Sequence, residues 1–390
     1  MPEAVIVAAC RTAIGTARKG ALADTSPFEL ADVIVGEVVR RAGIEALEVD
    51  DIVLAESLYG GGDIARHAAV TAGLTDVPGL ALNRHCASGL AAVQTAAANV
   101  RAGMMNAVVA GGVHSTSTAP VSRWRRPGTD EWDEMWISPS HPEQPDAPTL
   151  DMSITVGWNS AVAAGVSREE MDAWALGSHQ KAIAAIDADR FAEEIVPVKV
   201  SHRDGSSTMF EVDEHPRRDT SMERLAALKP LHPEIEGFSI TAGNSSGLND
   251  AAAALVVAAD ELASRRRLPV LATVRSWASV GVDPADTGLA PTKAIPKALA
   301  LAGLDVDDVA LWEINEAFAS MCVATTRILG IDPALVNPSG SGCSLGHPIA
   351  ATGARMLTTL VYELRRRGGG IGVAAMCAGG GMGSATVIEV

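Results

Sequence analysis

The sequence feature that most constrains the fold of this chain is an internal duplication. Three stretches recur in the same order at offsets of about 255 to 270 residues. The pairs are 43–56 with 303–313, 83–89 with 337–343, and 107–112 with 374–380. Short apolar runs predict buried strands at 4–10, 51–56 and 107–112, and apolar-faced stretches predict helices at 28–43 and 88–103. Strand and helix alternate, so the sequence predicts an α/β fold made of two copies of one unit.

A compositional change interrupts the first copy. Six prolines fall between Pro120 and Pro148, and a polar stretch with a predicted helix at 167–189 follows. We interpret 120–241 as an inserted lid domain, 1–119 with 242–267 as the N-terminal half, and 268–390 as the C-terminal half.

Charge and cysteine content limit the partners and the compartment. A formal charge of −16 argues against nucleic acid and anionic membranes as partners. We expect no membrane span, because no apolar run approaches the ~20 residues that a span needs, and no secretory signal. Five scattered cysteines predict reduced thiols and a cytoplasmic protein, so a special cysteine would serve chemistry.

The duplication predicts where that chemistry lies. Two α/β units would meet at a shared seam of strand-to-helix turns, where open α/β sheets bind ligands. Cys86 precedes a predicted helix, whose N-terminus would stabilise a thiolate and lower the thiol pKa from about 8.5. The alternative is a buried, unreactive cysteine.

The second half offers three further polar candidates. His347 stands at a loop-to-helix turn and could act as the base that activates a thiol, or could be a local hydrogen-bonding residue. Cys377 precedes three glycines whose N–H groups could form an oxyanion hole, or simply a tight turn. Asn315 follows a predicted strand and could hold a water or a carbonyl oxygen, although asparagine is also common in turns.

Two other chemistries fit the sequence poorly. Cys343, His347 and Cys377 contain no Cys-x-x-Cys pair, so we expect no metal site. The stretch GSGCSLG at 340–346 lacks the glycine spacing of a dinucleotide loop, so we expect no nicotinamide cofactor.

Seven stretches together carry a family resemblance over nearly the whole chain. They are ACRTAIG (9–15), NRHCASGLAAV (83–93), DEHPRRDTSMERLAALKP (213–230), TAGNSSGLNDAAAA (241–254), NEAFA (315–319), GHPIAATGAR (346–355) and CAGGGMG (377–383). The chain resembles the thiolases, the acyl-CoA acetyltransferase group of the thiolase superfamily. The resemblance implies a layered α-β-α-β-α core with an inserted lid.

The resemblance also implies a mechanism. Cys86 would be the nucleophile, His347 its base, and Cys377 a second acid/base. Asn315, through a held water, and His347 would line one oxyanion hole, and the N–H groups of Cys86 and Gly379 the other. A 3-ketoacyl-CoA would be cleaved by CoA in ping-pong fashion to acetyl-CoA and a shortened acyl-CoA, with no tightly bound cofactor.

The resemblance places CoA against the lid and the NEAFA turn. The implied contacts are Ser246 and Ala242 with the pantetheine arm, Arg217 with the adenine-phosphate end, and Met152, Ala317 and Phe318 with the channel walls. The tryptophans of 120–158 would line an acyl tunnel or pack the lid on itself.

Several positions depart from the family pattern and leave acyl length and branching open. His114 replaces a usual Glu, Asp151 a usual His, Trp158 a usual Glu and His232 a common Phe, while Cys343 is an extra thiol. The stretch 60–69 lacks a motif of biosynthetic relatives, which favours the degradative direction and a role in fatty acid β-oxidation.

Three alternatives remain at this point. They are a biosynthetic acetoacetyl-CoA thiolase, a ketoacyl synthase, and a non-catalytic acyl-CoA-binding subunit among β-oxidation enzymes. The resemblance further implies a homodimer or a dimer of dimers.

Overall fold

The computed structural model describes residues 2–57 and 62–390, so residues 60 and 61 of the stretch 60–69 lie outside it. The strands are β1 (Ala4–Thr12), β2 (Gly15–Thr16), β3 (Asp51–Ala55), β4 (Gly79–Leu82), β5 (Ala107–His114), β6 (Ser122–Arg125), β7 (Trp132–Trp136), β8 (Ile195–Val196), β9 (Val198–Ser201), β10 (Ser207–Phe210), β11 (Asn249–Ala259), β12 (Ala272–Gly281), β13 (Val309–Ile314), β14 (Ile371–Ala378) and β15 (Met382–Glu389).

The helices follow the apolar-faced stretches of the sequence. They are α1 (Pro27–Ala42), α2 (Ile64–Thr71), α3 (Ser88–Arg101), α4 (Asn159–Ala164), α5 (Arg168–Asp187), α6 (Met222–Ala226), α7 (Asp260–Arg266), α8 (Pro291–Ala302), α9 (Ala319–Leu329) and α10 (Ile349–Arg367). A π-helix, Ser153–Trp158, leads into α4. Among the described residues, no helix combines the length and the apolar character that crossing a bilayer requires.

The sheet topology shows the duplication directly. In the first half the strand order is β3-β5-β11-β1, with the β3–β5 pair parallel and the other two pairs antiparallel. In the second half the order is β13-β14-β15-β12, with the same directions. The strands of the two halves form one continuous hydrogen-bonded sheet, joined where β1 and β12 share the residue pairs Val5–Thr273 and Ile6–Ala272. Each half is therefore one copy of the same unit.

Helices lie between the two halves of this sheet and cover its outer faces. Helices α3 and α10 pack against strands of both halves, whereas α1 packs on β1 and β11, and α8 on β12 and β15. This is the expected α-β-α-β-α layering. Strands β5 and β11 are buried along their whole length and rich in Ala and Val, which suits strands covered on both faces.

The predicted correspondence between 83–89 and 337–343 was in the wrong register. Helix α3 begins at Ser88 and helix α10 at Ile349, so the matching stretches before these helices are 83–89 and 344–350. Cys86 and His347 thus occupy equivalent places, each two residues before its helix. Shared glycines and serines in the two loops misled the comparison, because small turn residues recur in many turns.

Between β5 and β11 lie a hairpin of β6 and β7, helices α4 to α6, and a hairpin of β9 and β10. Trp124 and Trp136 stack on each other in the first hairpin, with ring centroids 4.7 Å apart, and Trp132 is 52% exposed. Trp124 and Trp136 thus pack within their own hairpin, and the acyl-tunnel hypothesis for this stretch stays a prediction.

A buried ion cluster ties this region to the core. Arg11 on β1 is fully buried, donates to both carboxylate oxygens of Asp213 at 2.8 and 2.9 Å, and donates through Nε to Glu194 at 2.7 Å. Its guanidinium also lies 4.7 Å from the ring centroid of Phe191. Arg11 is therefore the counter-charge for two buried carboxylates of the inserted region, one just before β8 and one just after β10.

Replacing Arg11 with leucine is expected to lower the free energy of unfolding by about 3–5 kcal/mol, because two buried carboxylates would lose their counter-charge. Urea unfolding followed by circular dichroism measures the loss. The matched control is Arg203→Leu, whose pair with Asp24 is exposed and whose loss should matter far less. Equal effects of the two replacements would contradict the assignment.

Candidate active site

A close helix crossing positions the site. A Cβ atom on Gly89 would lie 2.7 Å from the backbone nitrogen of Ala354, and one on Gly353 would lie 2.3 Å from that of Leu90. Only glycine permits such an approach of two helix backbones. Because each glycine lies in the N-terminal part of its helix, the turns before α3 and α10 are brought to one place. Those turns carry Cys86 and His347.

The loop before α3 holds Cys86 under local constraint. His85 has a positive φ of 47°, which is uncommon for a residue with a Cβ. The Ser88 hydroxyl accepts the N–H of Arg84 at 2.7 Å and donates to the carbonyl of His85 at 2.6 Å, closing the turn. Cys86 itself is only partly exposed.

The predicted lowering of the Cys86 pKa is wrong. Burial raises the pKa of the thiol, and hydrogen bonds from the N–H groups of Gly379 and of Cys86 itself oppose the shift without overcoming it. Helix α3 starts two residues later, and both N–H groups lie near the sulfur.

His347 presents a free lone pair. Its Nδ1 lies 2.7 Å from the Thr352 hydroxyl, which donates its one proton to the carbonyl of Pro348 at 2.9 Å. A hydroxyl that donates to this carbonyl accepts from Nδ1–H, and that tautomer leaves Nε2 unprotonated. Nε2 is buried and has no hydrogen-bond partner among the described residues. Burial, reinforced by the charges of His114 and Arg355, lowers the pKa of His347 to about 3, so the ring is neutral at physiological pH.

Thiol and imidazole are therefore both neutral at rest, which predicts a specific pH profile. Alkylation of Cys86 by iodoacetamide should accelerate about tenfold per pH unit from pH 6 to pH 9, because the thiolate fraction grows in that proportion below the pKa. Peptide mass spectrometry after timed quenching measures the rate. A rate plateau below pH 7, as a thiolate–imidazolium pair produces, would contradict this arrangement.

Cys377 and the glycine turn after it border the site next to Cys86. Cys377 is buried near the end of β14, and the nearby Cys86 adds to the burial that raises its pKa. A Cβ on Gly379 would lie 3.8 Å from Cγ of His85 and 3.9 Å from Cβ of Ser140. The glycine turn thus packs beside the loop that carries Cys86.

Asn315 supplies an uncommitted carboxamide. It follows β13, and its N–H donates to the carbonyl of Ala375 at 3.0 Å, which ties it to β14. Both Oδ1 and Nδ2 are buried without a hydrogen-bond partner among the described residues. A buried carboxamide in this state is unfavourable unless another molecule satisfies it, so Asn315 marks a place for a polar ligand or a water.

Glu316 anchors this turn. Its carboxylate accepts four hydrogen bonds, from Trp174 Nε1 (3.0 Å), Ser178 Oγ (2.6 Å), Asn337 Nδ2 (2.9 Å) and the N–H of Cys343 (3.1 Å). The Cys343 thiol contacts the Glu316 carbonyl at 3.7 Å. The extra thiol therefore supports the turn.

The residues predicted to contact CoA fall into two groups. The N–H of Ser246 donates to the carbonyl of Ala317 at 2.9 Å, and a Cβ on Gly157 would lie 2.9 Å from the Phe318 ring. Met152 immediately precedes the π-helix that contains Gly157, so it borders the same region.

Ala242 and Arg217 are both exposed. The N–H of Arg217 donates to Nδ1 of His179 at 3.1 Å. Within the described chain, the Arg217 guanidinium has no ion pair, unlike that of Arg218, which pairs with Asp187.

Two departures from the family pattern pair with each other. Nε2 of His232 lies 2.7 Å from Oδ2 of Asp151, and its Nδ1 lies 2.8 Å from Oε1 of Glu234. Glu234 and Asp151 raise the pKa of His232. Trp158 packs on Phe238, with centroids 5.2 Å apart.

His114, in contrast, is buried between the hydroxyls of Ser57 and Thr116, and burial lowers its pKa to about 3.

Sequence reasoning missed two residues that position His347. Thr352 sets its tautomer, and Asn249 Oδ1 accepts its N–H at 3.0 Å while Asn249 Nδ2 donates to the carbonyl of Gly15 at 3.0 Å. A hydroxyl five residues after a histidine at a helix start is a signal that the sequence offers for Thr352. Asn249 lies 98 residues from His347, so no local pattern predicts that contact.

Within 2–57 and 62–390, no group of three or more His, Cys, Asp or Glu side chains is arranged to hold a metal ion.

Comparison with known proteins places this geometry in a family. The model of the thiolase N-terminal domain matches residues 4–261, and that of the thiolase C-terminal domain matches residues 268–390. An acetyl-CoA acetyltransferase of Pseudomonas aeruginosa is 41% identical over 401 residues, which cover 100% of this chain and 99% of the relative.

Other relatives agree. A β-ketothiolase of Cupriavidus necator is 40% identical, with 99% of each chain covered, and a 3-ketoacyl-CoA thiolase of Bacillus subtilis is 37% identical, with 100% of each covered. The crystal structure of the Bacillus anthracis acetyl-CoA acetyltransferase superposes with a TM-score of 0.93 at 39% identity, covering 100% of this chain and 99% of that one.

Proposed function

The chain belongs to the thiolase family and is an acyltransferase, and from this premise we propose that it catalyses the reversible thiolysis of 3-ketoacyl-CoA by CoA. The observation that carries the proposal is the buried, unpartnered Nε2 of His347, held at the same helix crossing as Cys86. A neutral base next to a neutral thiol suits a nucleophile that is activated only when substrate arrives.

In the first half-reaction, His347 Nε2 takes the Cys86 proton as the sulfur attacks the 3-keto carbon. The carbon–carbon bond then breaks, the Cys86 acyl thioester forms, and the Cys377 thiol protonates the enolate carbon to release acetyl-CoA. In the second half-reaction, the Cys377 thiolate takes the thiol proton of CoA, whose sulfur attacks the acyl thioester. Cys86 leaves and recovers its proton from His347, so every group returns to its starting state.

Two oxyanions arise on this path, and two sets of donors can meet them. The N–H groups of Cys86 and Gly379, which lie near the Cys86 sulfur and oppose the rise of its pKa, would receive the oxygen of the attacked carbonyl. Asn315, through a held water, and His347 would receive the enolate oxygen. His347 can donate there only after it has taken the Cys86 proton, which couples enolate stabilisation to nucleophile activation.

We place the acyl-CoA along the surface between these groups and the inserted region. Met152, Ala317 and Phe318 would border the acyl end, and Ser246 and Ala242 the pantetheine. The unpaired guanidinium of Arg217 suits a phosphate, for which arginine is a preferred donor. The paired departures Asp151 and His232 would alter the channel near Met152.

The direction in the cell and the assembly are finer proposals. The relatives bear both acetyl-CoA acetyltransferase and 3-ketoacyl-CoA thiolase names, and the same groups catalyse both directions. We favour degradation, with β-oxidation as the process served. Strand β4 pairs with β3 on one side and leaves its other edge free among the described strands. A second copy of the chain would cover such an edge, which supports a homodimer.

The test is to quench the protein with acetyl-CoA and map the peptides of all five cysteines by mass spectrometry. An acetyl group on the Cys86 peptide, removed when CoA is added, is the expected result. CoA binding without an adduct on Cys86 would overturn the proposal and favour a binding subunit.

A further inference from the structure

Sulfur atoms pack closely behind the Asn315 turn. Met321 and Cys322 on α9, Cys343 and Cys377 are all buried in one apolar cluster. The Cys322 thiol contacts the carbonyl of Asn315 at 3.4 Å, and that of Cys343 contacts the carbonyl of Glu316 at 3.7 Å. The Cys377 thiol instead lies 3.5 Å from the thioether sulfur of Met321.

The direction of this contact follows from the chemistry of the two groups. A thioether has lone pairs and no hydrogen, whereas a thiol has one S–H. Cys377 must therefore donate, and Met321 must accept. Both side chains are at most 1% exposed, so water does not compete for the S–H.

Met321 is also selective between the two forms of Cys377. It can accept from the thiol, but it has no hydrogen to offer a thiolate. The N–H groups at the start of α9 that could serve a thiolate are used elsewhere, since Ala319 donates to the carbonyl of Asn244 at 2.9 Å and Met321 to that of Phe318 at 3.3 Å. The contact therefore stabilises the protonated form.

We infer that Met321 is a positioning residue that acts through Cys377: its thioether sulfur accepts the thiol S–H and sets both the direction and the retention of that proton. The inference rests on the proposed function, in which Cys377 exchanges a proton with the α-carbon of acetyl-CoA. Met321 then affects the proton transfers that pass through Cys377, at the α-carbon of acetyl-CoA and at the thiol of CoA, and leaves the reactivity of the Cys86 thiol itself unchanged.

The α-carbon step and the reactivity of Cys86 can be measured separately on the same protein. Deuterium entering the methyl group of acetyl-CoA from D2O reports the α-carbon step. Alkylation of Cys86 by iodoacetamide reports the nucleophile alone, whereas exchange of labelled CoA into acetyl-CoA also needs Cys377 to take the CoA proton. All three measurements use the intact chain and commercially available probes, and mass spectrometry reads each of them.

Met321→Leu removes the acceptor while keeping an apolar side chain of similar volume. We expect deuterium exchange to fall about three- to tenfold, the range that a weak sulfur contact supports, with alkylation of Cys86 changed less than twofold. The matched control is Met356→Leu, a fully buried methionine in α10, which should leave both rates unchanged.

Met321→Gln supplies an acceptor together with an N–H donor. It should restore deuterium exchange and move the alkaline limb of its pH profile to lower pH, because the amide can also stabilise the thiolate. This shift tests the inference independently if the leucine variant fails to fold.

Equal losses of both rates in Met321→Leu, or a pH profile unmoved in Met321→Gln, would overturn the role of Met321. Absence of CoA exchange in the wild-type protein would instead overturn the proposed function. The two failures are therefore distinguishable.

Discussion

Replacing Cys86 with serine is expected to lower kcat/KM for thiolysis of acetoacetyl-CoA by about four orders of magnitude or more, and to abolish acetylation of the chain by acetyl-CoA. A serine hydroxyl is far less acidic than a thiol, and a neutral His347 is too weak a base to ionise it at neutral pH. Steady-state thiolysis followed by loss of the acetoacetyl-CoA absorbance measures the first effect, and intact-protein mass measures the second.

The matched controls for Cys86 come from cysteines elsewhere in the chain. Cys10 lies on β1, and Cys343 lies behind the Asn315 turn. The variants Cys10→Ser and Cys343→Ala should each retain acetylation at Cys86. Acetylation that persists in Cys86→Ser, or that moves to Cys377, would show that a different sulfur carries the acyl group.

Replacing His347 with alanine is expected to lower kcat/KM by about two to four orders of magnitude, the range that a single general base contributes. CoA binding, measured by calorimetry, should change little, because the effect lies in proton transfer. The variant Thr352→Val keeps the imidazole but removes the hydroxyl that fixes its tautomer, so kcat/KM should fall only about tenfold.

The control for His347 is His202→Ala, in the loop between β9 and β10, whose imidazole contacts the Thr208 hydroxyl at 2.9 Å on the surface. It should retain full activity. A His347→Ala variant with activity within threefold of wild type would sink the assignment of this residue as the base.

Much of the fold was predictable because its signals are local. Helix α1 begins after Ser26 with a capping box, in which Ser26 and Glu29 bond each other's backbone, and ends at Gly43 in the left-handed conformation. Strand β11 appears in the sequence as an uninterrupted small-apolar run. The echo of the two halves then predicted that these elements occur twice.

The errors share a physical cause. The pKa of Cys86 was predicted to fall because its place before a helix is visible in the sequence, whereas the burial that raises the pKa depends on residues that only the fold brings around the thiol. The sequence also did not predict the ion pair between Asp151 and His232, because each residue taken alone only departs from a family motif.

By itself, the sequence determined the duplicated α/β fold, the family, and the residue types available for chemistry, because periodicity, turn residues and motifs are properties of neighbours along the chain. Only the tertiary structure decided the state of those residues. The crossing of α3 and α10 at Gly89 and Gly353 brings Cys86 and His347 together across 261 positions, Thr352 and Asn249 set the imidazole, and burial makes both partners neutral. Burial and tautomer depend on atoms that are distant in sequence, so only the folded chain reveals them.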